Sequence, residues 1–94
     1  MKIVINNKHT GFGLSDEAEA KYMGIMGITD PDFYARSDIP RDCAVLVAIV
    51  EEMGERANST YSRLKVVEVP DDVDWYIADY DGKEWVAEVH RTWR

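Results

Sequence analysis

The residues best suited to chemistry lie at the two ends of the chain. At the C-terminus, His90-Arg91-Thr92-Trp93-Arg94 joins guanidinium groups to an imidazole and an indole. Planar cations beside an aromatic ring grip a phosphorylated, base-bearing ligand through bidentate contacts and stacking. The same cations serve equally well to pair with an acidic protein surface. Near the N-terminus, NNKHTGFG brings together Asn6, Asn7, His9 and Thr10, neutral hydrogen-bonding groups that suit a nucleotide. Phe12 stands between two glycines there, as either a plug into the core or a stacking platform.

Other motifs point more weakly. GFGLS leads towards a helix start, where free N–H groups hold anions, but it lacks the P-loop lysine and spacing, and Asp16-Glu17 would repel phosphate. Asp79, Asp81, Gly82 and Glu88 match four positions of a calcium-binding loop, yet the first position would be Ile77 and the surrounding alternation makes strands. Asn58-Ser59-Thr60 fits a glycosylation acceptor, which means little without a secretion signal. His9 and His90 are too far apart in sequence to form a zinc signature. Cys43 opens an apolar run to Val50, where a buried, inert thiol is expected rather than an activated nucleophile. Most carboxylates read as solvated surface. No catalytic residue, metal site or cofactor is expected.

Composition narrows the partners. The 94 residues suit a single domain spanning 1–94. Eleven basic against 18 acidic residues give a formal charge of −7, which argues against broad duplex binding through phosphate contacts. A local pair such as Arg91 and Arg94 can still hold a small anion. No run approaches the length of a membrane span, and MKIVINNKHTGFG fits neither a signal nor a transit peptide. No nucleic-acid or membrane partner is expected, and the cytosol is the default location.

These residues must be positioned by a small set of elements. KIVIN (2–6) is short, apolar and β-branched, a first strand. Ser15 is placed to cap a helix with Asp16 and Glu17 in its first turn, Leu14, Ala18, Tyr22 and Met26 on one face, and an end near Gly24 or Gly27. Residues 28–41 carry two prolines and read as an irregular connection pinned by Phe33 and Tyr34. Asp42 is placed to cap a second helix, whose apolar first turns predict burial on more than one side, in the core or against another subunit. Gly54 or Asn58 would end it. LKVVEV (64–69) is a second strand. Asp81-Gly82 then favours a type I′ turn between two alternating runs, so that Tyr80 pairs with Lys83, Ala78 with Trp85 and Tyr76 with Ala87. Trp75, Ile77, Asp79, Glu84, Val86, Glu88 and His90 take the other face. Both faces are partly apolar, so something besides the helices is expected to cover the second, whether another subunit or a ligand; single exposed aromatics are the plainer alternative. The expected fold class is α+β, ordered β-α-α-β-β-β, with two helices on one face of a small, mainly antiparallel sheet ending in a C-terminal hairpin.

The segments KIVINN and GFGLSDEA, IPRD, then GERAN and LKVVEVPDDVDWYI through DYDG and EWVAEVHRTW resemble a widespread group of small bacteriophage proteins. The likeness covers most of the chain except roughly residues 24 to 37, where this chain is short. That group is in turn similar to the phage anti-Thoeris proteins, sponges for nucleotide immune signals. The resemblance implies a homo-oligomer that binds a cyclic ADP-ribose isomer or related cyclic nucleotide in the host cytoplasm without cleaving it. It implies contacts from Asn6, Asn7, Phe12, Asn58, His90 and Arg91, with Phe12 or Trp93 stacked on the base and Arg91 and Arg41 on pyrophosphate. The alternative is a protein that docks its aromatic hairpin and acidic surface on a host protein.

Overall fold

The computed structural model describes residues 1–89, with Arg36 described by its backbone alone. Element order follows expectation with two short additions, α2 and a 3-10 turn: β1 (Lys2–Asn6), α1 (Asp16–Met26), a single helical turn α2 (Ala35–Asp38), α3 (Ala44–Met53), the 3-10 turn (Gly54–Ala57), β2 (Leu64–Glu68), β3 (Trp75–Tyr80) and β4 (Lys83–Glu88). The fold is α+β and closes on the expected hairpin. Its four strands form two antiparallel ladders, β1-β2 and β3-β4, where a single sheet was the simplest expectation.

Local chemistry sets the helices. The Ser15 hydroxyl accepts the Ala18 N–H at 3.1 Å and donates to the Arg56 carbonyl, so one side chain starts α1 and ties it to the turn after α3. Gly27, with φ of 67°, ends α1 in the left-handed region. α3 carries four β-branched residues that would weaken an isolated helix. It forms because Leu46, Val47, Ile49, Val50 and Met53 are buried, and packing outweighs propensity. Asp42 does not cap this helix: Cys43 occupies the cap position, without a side-chain bond. Replacing Ser15 by alanine should therefore cost about 1 kcal/mol, whereas Asp42→Ala should stay within roughly 0.5 kcal/mol of neutral. Urea denaturation of both variants checks this; equal losses would contradict the capping assignment.

The core places Val4, Leu64 and Val66 of the first ladder against α3, with α1 beside α3 through Ala18 and Tyr22. In the long connection, Phe33 stacks on Tyr22 with centroids 5.9 Å apart, but Tyr34 is exposed rather than pinned. Cys43 is only partly buried, its Sγ 3.8 Å from the Tyr22 hydroxyl. Met26 faces solvent, one turn beyond the buried stripe of α1.

Ile3 and Ile5 face β2 through their backbone, so Val4 and Asn6 turn their N–H groups to the outer edge of β1. Among the described residues no strand pairs there. The Arg41 carbonyl accepts from Val4 at 2.9 Å, and the Glu84 carboxylate of β4 accepts from Asn6 at 2.8 Å. A loop carbonyl and a side chain thus take the bonds that a continuous sheet would have made, which is why the ladders stay separate.

Candidate functional site

The hairpin docks on the body through a polar junction. The Arg41 guanidinium makes a two-pronged pair with Glu84, at 2.5 and 2.8 Å, and its carbon lies 3.7 Å from the Phe12 ring centroid. Both partners are largely buried, Glu84 at 8% exposure. Asn6, at 0% exposure, donates through its amide to the Lys8 and Gly82 carbonyls and accepts the Arg63 N–H. Its side chain thereby joins the end of β1, the following loop, the start of β2 and the hairpin turn. Among the described residues no buried side-chain polar atom is left without a partner.

Three expected ligand contacts thus have partners within the chain. Asn6 has its amide committed to backbone groups. Phe12 is a plug, 5% exposed, with its open face taken by Arg41. Arg41 pairs with Glu84. These residues do come together, but as a junction between body and hairpin. Asn7 is half-buried at the end of the first ladder, its N–H bonded to Arg63. Asn58 lies elsewhere: its side-chain Oδ1 accepts the Leu64 N–H, and it borders a shallow depression of about 190 Å³ with Ser15, Asp16 and Thr60. His90, Arg91 and Trp93 fall outside the described residues.

Glu84 is the residue that sequence reasoning missed, counted there among solvated carboxylates. Its signal was the alternation that puts it on the same hairpin face as Ile77 and Val86, the face turned to the body.

The opposite face is open. Tyr76, Ala78 and Tyr80 of β3 stand beside Ala87, Trp85 and Lys83 of β4 in the expected register. Tyr76, Tyr80 and Trp85 are 50, 72 and 47% exposed. His9 meets Tyr80 edge-on, and because a carbonyl only accepts, its Nδ1 carries the proton shared with the Tyr80 oxygen at 3.1 Å. His9, Thr10, Gly11, Asp81 and Gly82 line a depression of about 250 Å³ at this end. A third, of about 320 Å³, lies between the N-terminus and α3, lined by Lys2, Ala44, Val47, Ala48 and Glu51 among others, and holds none of the expected contacts.

Burial pushes the Tyr22 phenol up, helped by its bond to Cys43, which keeps it protonated at neutral pH. Among the described residues no three of His, Cys, Asp and Glu gather as a metal-binding group, and no helix is long and apolar enough to cross a membrane. No family model, curated protein or solved structure matches the chain.

Proposed function

We propose that this chain is a non-catalytic binding protein that retains a nucleotide-derived immune signal, of the cyclic ADP-ribose or cyclic-nucleotide kind, as a homo-oligomer in the cytoplasm of a phage host. The observation that carries this reading is the open aromatic face of the hairpin, Tyr76, Tyr80 and Trp85, on a ribbon that continues in sequence into His90-Arg91-Thr92-Trp93. Exposed rings stack on a base at low conformational cost, and an adjacent guanidinium holds phosphate. The resemblance carried by KIVINN, GFGLSDEA and EWVAEVHRTW points to the same reading. Sequestration asks for tight binding and abundance, with no bond made or broken.

Arg91→Ala should abolish retention of the signal while leaving the domain folded, because the substitution removes the proposed phosphate contact. Native mass spectrometry after incubation with lysate from signal-producing cells reads this directly, and unchanged retention would remove Arg91 from the site.

The same open face also favours a second reading, in which the hairpin and the acidic surface dock on a host protein. Wild-type protein emerging from that lysate with a protein partner and no small molecule would favour it.

A further inference from the structure

We propose that the open face of the hairpin is itself the base-stacking shelf for a nucleotide, with Trp85 and Tyr80 holding the base and Lys83 facing its phosphate. The proposal rests on the sequestration reading and moves the stacking role away from Phe12, whose ring is spent in the core.

The ladder register builds the shelf. Trp85 lies opposite Ala78 and diagonal to both Tyr76 and Tyr80, a spacing of about 7–8 Å that aromatic side chains bridge. Ala78 and Ala87 form a low floor between the rings. A flat ligand therefore meets ring faces and edges without displacing a side chain from the core.

Charge says what kind of ligand fits. In a chain of net charge −7, every carboxylate of the two hairpin strands, Asp79, Glu84 and Glu88, lies on the opposite face. Among the paired residues of the two strands, the one charged side chain on the aromatic face is Lys83, and among the described residues it makes no ion pair. Asp81 sits in the turn between the two strands and lines the depression beside His9. His9 borders the same end, and with Nδ1 donating to the Tyr80 carbonyl its Nε2 is an acceptor, suited to a ribose hydroxyl. Rings with a cation at one end and no carboxylate among them match a base joined to phosphate.

Size argues for a small nucleotide over a polymer. Tyr76 and Tyr80 are four residues apart along β3, roughly 13 Å at strand rise, room for one or two bases. A longer strand would carry its phosphates onto the acidic remainder of the surface.

Calorimetry of the full chain with ADP-ribose, adenosine, ribose 5-phosphate and single-stranded oligodeoxythymidine tests this. ADP-ribose should bind, and Trp85→Ala should weaken it roughly tenfold or more, the scale of one lost base stack, while Trp85→Phe retains most of the affinity. Lys83→Ala should weaken ADP-ribose but not adenosine, and ribose 5-phosphate alone should bind poorly. Because Trp85 and Lys83 are exposed, circular dichroism should be unchanged. No binding of ADP-ribose, or equal affinity in native, Trp85→Ala and Tyr80→Ala proteins, would overturn the shelf, as would tighter binding of the oligonucleotide. An oligomer that Trp85→Ala splits without changing affinity would also overturn it, because a second copy would then cover the face. Retention of the lysate signal by Trp85→Ala would sink the shelf and leave sequestration standing. ADP-ribose bound through the shelf, with nothing retained from lysate, would do the reverse.

Discussion

Replacing Glu84 by alanine should destabilise the domain by about 3–5 kcal/mol, the scale of a buried ion pair broken from one side. The substitution strands the Arg41 guanidinium over Phe12 and leaves the outward Asn6 N–H without its acceptor. Small domains have roughly 5–15 kcal/mol in total, so the variant should lie close to its unfolding threshold. Arg41→Ala should be similarly costly, since it leaves the carboxylate buried. Removing both charges together, as in Arg41→Met with Glu84→Leu, should recover much of the loss, because apolar replacement of a buried pair is often neutral or better. Urea denaturation of the four proteins measures the coupling. Additive losses, with no recovery in the double variant, would show that the pair does not hold hairpin to body.

Gly82→Ala should be the next most damaging change, at roughly 2–4 kcal/mol, for two separate reasons. Gly82 has φ of 89°, where alanine is strained by about 1–3 kcal/mol. A Cβ there would also stand 2.5 Å from the Gly11 nitrogen and 2.8 Å from that of Thr10, so the turn could not keep its seat against the N-terminal loop. Gly27 offers the matched control: its φ is also positive, but nothing lies within 4 Å of an added Cβ. Gly27→Ala should carry the backbone strain alone. If the two variants lose equal stability, the close approach of the turn to the loop is not what makes Gly82 costly to replace.

What was legible in the sequence was local. Ser15 before an acidic turn, Gly27 after the apolar stripe and Asp81-Gly82 between alternating runs each specify geometry through their nearest neighbours. The α1 caps, the hairpin and its register follow from them. The separation of the ladders was not legible, because it depends on a loop residue, Arg41, lying along the edge of β1 with Glu84 reaching across from the far end of the chain. The same limit applies to three of the expected site residues. Asn6, Phe12 and Arg41 have the groups that a nucleotide pocket needs, and those groups equally suit a buried junction. Only their partners decide between the two, and residue type does not name partners over such sequence separations. The open aromatic face, in contrast, follows from period-two alternation and was anticipated.

The central claim is capture without cleavage, and recovery of the ligand tests it most directly. Purified protein incubated with lysate from signal-producing cells, washed and heat-denatured, should release an intact nucleotide-derived molecule in near-stoichiometric amount, identified by its mass in the supernatant. That supernatant should carry the signalling activity that the protein removed from the lysate. A supernatant holding only a hydrolysed product, or no small molecule at all, would contradict the account.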